Sequence, residues 1–220
     1  RRLHLYLVDV NDGSSTALTR GPYDHYLPSF SPDSKHIAFV SKRGEDPDRH
    51  LNYDIYMVEA KAGGIEKQIT HYPGTDLDPY WETRPAWSPD GSKIAYVRSE
   101  GGQWTYYAPW QLAVVDLVTG EESQPALPDH FTIKPTWLPD SRHLVALVES
   151  PQAMTAVKVD VVSGKTESLT EGGRFDYGLA INASGDVVLN SSTPMKPFEL
   201  QRLTGKNRMT ALTDHNDWLK

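Results

Sequence analysis

The sequence predicts an all-β protein: a β-propeller of four-stranded antiparallel blades, about four and a half of them present, forming an incomplete ring. Three observations predict it. The chain repeats itself at a blade-sized period, each period carries two different hairpin signatures, and no long segment shows the 3.6-residue period of a helix.

The first signature reads Pro28-Ser29-Phe30-Ser31-Pro32-Asp33-Ser34. It returns as Pro85-Ala86-Trp87-Ser88-Pro89-Asp90-Gly91 and as Pro135-Thr136-Trp137-Leu138-Pro139-Asp140-Ser141, with a worn copy at Leu179-Ala180-Ile181-Asn182-Ala183-Ser184-Gly185. Equivalent positions 32, 89, 139 and 183 are 57, 50 and 44 residues apart, each the length of one blade. A short apolar strand follows every copy, as in Ile37-Ala38-Phe39-Val40 and Ile94-Ala95-Tyr96-Val97. Proline presets φ in the turn, Asp bonds neighbouring amides, and Gly or Ser closes it. The aromatic just before the turn anchors the preceding strand.

The second signature lies between these copies. Val8-Asp9-Val10 with Gly13 and Leu18-Thr19 is followed by Val58-Glu59-Ala60 with Gly63 and Ile69-Thr70. Val115-Asp116-Leu117 with Gly120 comes next, then Val159-Asp160-Val161 with Gly164 and Leu169-Thr170. An acidic residue four before each Gly marks a second hairpin. Together the hairpins make strands a to d of one blade. A half blade is expected at 3–19 and complete blades at about 28–70, 85–127, 135–170 and 178–213. A β-sandwich is the alternative, but sandwiches do not repeat sequence at this period. The first hairpin is missing from residues 3–19, and seven residues remain after Thr213 to replace it. The expectation is therefore a piece of a longer ring, with blades missing upstream of Arg1.

Composition narrows the function. Lys plus Arg number 22 against 29 for Asp plus Glu, a net charge of −7, which argues against the basic stripe that nucleic acid needs. The longest pure apolar run, Leu144 to Val148, is far short of the ~18 residues of a membrane span, so no membrane partner is expected. Cysteine is absent, which removes disulfides, thiolate nucleophiles and Cys-ligated zinc. None of this fixes the compartment; the cytoplasm is the favoured expectation, with the periplasm as the alternative.

The run Pro85 to Val97 resembles the repeat shared by TolB-like propellers and the propellers of prolyl oligopeptidase-family serine peptidases. Two passages tilt the resemblance toward the peptidases of acylaminoacyl- or dipeptidyl-peptidase type. Ser191-Ser192-Thr193-Pro194-Met195-Lys196-Pro197-Phe198-Glu199-Leu200 is similar to their last-blade passage, and Leu212-Thr213-Asp214-His215-Asn216-Asp217-Trp218-Leu219 to the stretch leading out of their propeller. The resemblance implies a catalytic α/β-hydrolase domain after residue 220, acting on short peptides through a Ser-His-Asp triad. The partners it implies are that domain, the missing N-terminal blades and a peptide substrate; it leaves a homo-oligomer open. No catalytic residue is carried over, because the chain holds no Gly-x-Ser-x-Gly elbow. Its eight histidines show no His-Glu-x-x-His or other metal spacing, so neither metal nor cofactor is expected. Two other readings stand beside this one: a TolB-like protein-binding propeller without activity, and a propeller lyase or glycosidase, which no paired carboxylates support.

Strand order places the a–b and c–d turns at one end of a blade and the b–c and d–a links at the other. The first kind are tight here and the second long, at about 41–53, 98–111 and 71–84. Binding residues concentrate on loops held by a rigid scaffold. Candidate substrate-binding residues on those links are Glu82 and Arg84, expected at the channel and able to hold a peptide terminus, with Trp104, Tyr106 and Tyr107 from the aromatic stretch 101–110. The charged loop 43–50 is expected to be solvated. Asp76 and Asp78 are too few carboxylates for a cation site.

Overall fold

The computed structural model describes residues 2–78, 80, 82–100, 104, 106–127 and 130–219. The fold is all-β, with helix confined to single 3-10 turns such as Pro47–Arg49 and Asp217–Leu219. Among the described residues no helix is long and apolar enough to cross a membrane.

Two compact units divide the chain at Gln124/Pro125. The first holds the half blade, β1 (Tyr6–Val8) and β2 (Ser15–Ala17), and two complete blades. Blade 2 is β3 (His25–Phe30), β4 (His36–Ser41), β5 (Asp54–Glu59) and β6 (Lys67–Gln68). Blade 3 is β7 (Ala86–Trp87), β8 (Lys93–Arg98), β9 (Gln111–Asp116) and β10 (Glu122–Ser123). The second unit holds blade 4, β11 (Thr132–Trp137), β12 (His143–Ser150), β13 (Ala153–Asp160) and β14 (Thr166–Ser168). It also holds blade 5, β15 (Phe175–Ile181), β16 (Val187–Thr193), β17 (Lys196–Gly205) and β18 (Arg208–Ala211). Each blade is an antiparallel meander; one parallel pairing, Met154 with Phe175, joins blades 4 and 5.

The second strand of blades 2, 3 and 4 is buried almost end to end. Both its faces are covered, which is why these segments read as continuous apolar runs without alternation. One cluster packs Leu5 and Leu18 of the half blade on Ile37, Phe39, Tyr56 and Val58 of blade 2. Another packs Ala38, Ile55 and Ile69 of blade 2 on Ile94, Tyr96, Ala113 and Val115 of blade 3. Blade 2 thus buries one face on the half blade and the other on blade 3.

The hairpin signatures are hydrogen-bonding devices. Ser31 Oγ donates to Asp33 Oδ1 (2.7 Å) and accepts from the His36 amide (2.9 Å). Ser88, Asp90 and Lys93 repeat the arrangement. In the worn copy, Asn182 Oδ1 takes the Ser184 and Asp186 amides instead. In the second hairpin the acidic residue's carbonyl accepts the glycine amide four residues on, at 2.9 Å from Gly13 to Asp9 and 2.8 Å from Gly120 to Asp116. Those glycines have φ near +70°, a region costly for other residues.

Strand a starts upstream of the proline that signals it. β3 begins at His25 and crosses a bulge before Ser29, with Leu27 at φ 51°; β11 does the same before Thr136, with Lys134 at φ 54°. Proline cannot donate to a ladder, so the strand bulges at that point.

The b–c links differ between units. They are long in blade 2 (42–53) and blade 3 (99–110), but in blades 4 and 5 they shrink to two residues, Pro151-Gln152 and Pro194-Met195. The expectation of long b–c links holds for the first unit only.

Candidate functional site

Three links of the first unit meet at the loop ends of blades 2 and 3. The 71–84 link lies against the end of β8, where Thr75 and Ser99 exchange backbone hydrogen bonds of 3.0 and 2.9 Å. Gly74 makes this approach possible, since a Cβ there would stand 2.3 Å from the Ser99 carbonyl oxygen and from the Tyr72 ring. Ser99 Oγ in turn donates to the Ala108 carbonyl (3.3 Å), tying in the 99–110 link. Rings join the same two links: Tyr80 meets buried Trp110 edge-on at 5.3 Å.

Behind the links lies a polar network. Arg98 Nε donates to Asp76 Oδ1 (2.8 Å), and its Nη2 donates to the Tyr96 hydroxyl (2.6 Å) and to Glu122. The guanidinium stacks on Tyr72, 4.1 Å from the ring centre. Glu122 also accepts the His71 amide (3.0 Å), so β10 holds the start of the link. Asp78 is fully buried and accepts the amides of Tyr80, Glu82 and Thr83 at 2.8–3.1 Å. It is a loop organiser, and Asp76 is an ion-pair partner of Arg98 through Oδ1. Among the described residues no group of three or more His, Cys, Asp or Glu has metal-holding geometry.

The side chains the links present are aromatic. Tyr80, Trp104, Tyr106 and Tyr107 are 69, 53, 59 and 78% exposed. The Trp104 carbonyl accepts the amides of Tyr107 and Ala108 at 2.8 Å, a turn that sets the three aromatics on one short segment. Burial, reinforced by Tyr26 and Tyr106, pushes the Tyr53 hydroxyl up to about 12. Tyr53 and Tyr106 thus bring the b–c links of blades 2 and 3 together. Glu82 is half-buried, with its amide on Asp78, and Arg84 is exposed at the entry to β7. Gly101, Gly102, Gln103 and Thr105 of the aromatic stretch, and Trp81 between the carboxylate-held amides, lie outside the described residues.

The charged loop 43–50 is more engaged than its composition suggests. Arg43 pairs with Glu66, donates to His25 Nε2 (3.1 Å) and stacks 3.9 Å from the Tyr56 ring centre. Arg2 clamps Asp24 and Asp48. Asp46 and Arg49 pair only with each other across an exposed turn.

A family model for the TolB beta propeller domain matches residues 4–216. The chain belongs to that family. This TolB-type propeller is 28% identical over 93% of its length to dipeptidyl-peptidase 5 of Porphyromonas gingivalis, and it spans 31% of that protein. Its fold matches a puromycin-hydrolyzing peptidase of Mycobacterium tuberculosis at a TM-score of 0.75 and 14% identity, covering 96% of this chain and 35% of that one. TolB of Acinetobacter baumannii matches at a TM-score of 0.69 and 19% identity, covering 96% and 48%. The chain therefore spans about a third of the length of that dipeptidyl-peptidase.

Within this propeller, sequence reasoning missed Arg98, Asp54, Glu122 and the bracket they belong to. The threonine that closes strand d takes the strand-c amide on its hydroxyl: Thr19 from Leu5 and Thr70 from Ile55 at 2.9 Å, Thr170 from Ala156 at 2.8 Å, and Thr213 from Leu200 at 2.9 Å. Six residues after the first three stand His25, Asp76 and Asp176, each buried, His25 and Asp176 in strand a of the next blade and Asp76 on the link that leads to it. That six-residue spacing was the signal available.

Proposed function

We propose that this chain is the non-catalytic propeller portion of a serine peptidase acting on short peptides, which admits and orients substrate for a separate hydrolase domain. Its near-complete match to one third of a dipeptidyl-peptidase carries the reading. A propeller contributes confinement by shape, and loop contacts orient the peptide before the chemistry. Glu82 and Arg84 are the groups we assign to a peptide terminus, and Trp104, Tyr106 and Tyr107 to its side chains. Exposed faces at both ends of the repeat fit a larger ring: Tyr6 and Val8 on the half blade, Phe175, Tyr177, Phe198 and Leu200 on blade 5. Equivalent faces between blades 2 and 3 are buried. We infer that further blades cover them.

The test is kinetic. In the full-length peptidase, Glu82→Ala combined with Arg84→Ala should raise KM more than it lowers kcat for short peptide substrates. Unchanged kinetics sink the assignment of these two residues. The second reading, a protein-docking propeller, starts from the match to the TolB beta propeller family. It predicts a coding sequence downstream of Lys220 with no Gly-x-Ser-x-Gly elbow.

A further inference from the structure

The polar network between blades 2 and 3 carries more negative charge than it neutralises. Asp54 opens β5 opposite Ser41 of β4 and is 6% exposed; Asp76, on the 71–84 link, is 2% exposed. The charged groups facing Asp54 are Asp76 from the link, Glu122 from β10 and Arg98 from β8. Tyr56, two residues along β5, is the nearby hydroxyl. Three carboxylates meet one guanidinium, and Arg98 is already taken by Asp76 and Glu122. Arg43, the next cation along, is held by Glu66 and His25.

Two buried oxygens are left over: Asp54 Oδ1 and Asp76 Oδ2 make no hydrogen bond of good geometry, the Thr70 hydroxyl bearing only loosely on the Asp76 carboxylate. A buried carboxylate without partner or counter-ion is too costly to keep charged, and it takes up a proton instead. The matching joint in the second unit lacks this excess. There Asp176 accepts from Thr170 Oγ1 (2.7 Å), Arg174 Nε (2.9 Å) and Ser191 Oγ.

We propose that Asp54 and Asp76 hold one proton between them near neutral pH, and that its release loosens the grip of the 71–84 link on blade 2. The Asp76 amide donates to the Tyr53 carbonyl at 2.7 Å, so repulsion between two ionised carboxylates acts across the joint where the link meets β5. Burial, then the charges of Asp76 and Glu122, pushes the Asp54 carboxyl up to about 7; burial pushes Asp76 up to about 6. Unfolded, both ionise near their ordinary value of 3.8. The folded form therefore retains a proton that the unfolded chain has lost. The associated stability is full below pH of about 4 and is lost as pH rises through about 7. The proton is predicted whether or not the aromatic links meet a peptide.

Asp54→Asn tests this on the chain as it stands, because the amide copies the neutral acid. Urea unfolding of both forms, from pH of about 5 to about 8, should show the wild-type unfolding constant rising relative to the variant, by up to tenfold per pH unit. Protection of the Asp76 amide, relative to the exchange rate of an unstructured chain at the same pH, should fall with pH in the wild type and stay level in the variant. Parallel pH profiles overturn the proposal. So does a variant that fails to fold, since a neutral side chain at this position is what the proposal requires.

Discussion

Blades 2–3 and blades 4–5 build the same joint and finish it differently. In both, a threonine closing strand d bonds the strand-c amide, and a buried aspartate follows six residues later. Asp176 is surrounded by three donors from Thr170, Arg174 and Ser191. Asp76 has Arg98 at 2.8 Å on one oxygen and only the Thr70 hydroxyl, too loosely placed for a full hydrogen bond, beside it, with Asp54 as a neighbour. The b–c links follow the same division, two residues long in blades 4 and 5 and twelve in blades 2 and 3 (42–53 and 99–110). Short turns above a satisfied acid make a scaffold. Long links above a less completely bonded acid make the looser joint.

The sharpest way to break this comparison is to delete both acids. Asp176→Ala strands Arg174 in a buried setting, which costs about 3–5 kcal/mol. Asp76→Ala should cost less, because Arg98 keeps Glu122 and the Tyr96 hydroxyl, and because one of two repelling carboxylates is gone. Urea midpoints of the two variants decide the matter. Equal losses, or a larger loss at Asp76, would mean that the two joints are energetically alike.

A smaller effect sharpens the comparison at the end of the repeat. Thr213 takes the Leu200 amide as its three counterparts take theirs, but its acid is Glu199 on β17. Glu199 also accepts the amides of His215 (2.8 Å) and Asn216 (3.0 Å) and the Asn216 side chain (2.8 Å). The Thr213 hydroxyl, then Asn216 and His215, hold its carboxyl down to about 2. A lowered value means that the clasp is present above the ordinary carboxylate range and is lost only as pH falls through about 2. Glu199→Gln should leave the urea midpoint nearly unchanged while the His215 and Asn216 amides exchange faster. Unaltered exchange would show that residues 213–216 are held by something other than this carboxylate.

The sequence made the propeller legible because its turns are chemically loud. Pro-Asp-Gly and Asp-x-x-x-Gly name their own hydrogen bonds, and fully covered strands leave unbroken apolar runs such as Ile94 to Val97. The starts of strand a were quiet. His25, Thr132 and Phe175 precede bulges that interrupt any alternation, so the repeat becomes readable only at Pro28, Pro135 and Gly178. The site was half legible. Exposed aromatics at Trp104, Tyr106 and Tyr107 show in the composition of their stretch. The Arg98–Asp76–Glu122 network does not, because its members come from β8, a link and β10, up to 46 residues apart, and only the register of blade 3 unites them. Arg43 read as one charge among many until Glu66, Tyr56 and His25 closed around it.

The smallest expected change in stability belongs to the most exposed ring of the site. Tyr107 is 78% exposed and its backbone, not its side chain, makes the turn onto Trp104. Tyr107→Ala should shift unfolding by no more than about 0.5 kcal/mol, as for other surface positions. A ring that large is costly to leave in water unless something covers it, and aromatic anchors are where binding energy concentrates. On the proposed function, the same substitution in the full-length protein should raise KM for short peptides with kcat little changed. Stability and affinity then separate at one residue of the long links, which no residue of the two-residue turns at Pro151-Gln152 or Pro194-Met195 should reproduce. A Tyr107→Ala variant with unaltered KM would return the aromatic links to scaffold.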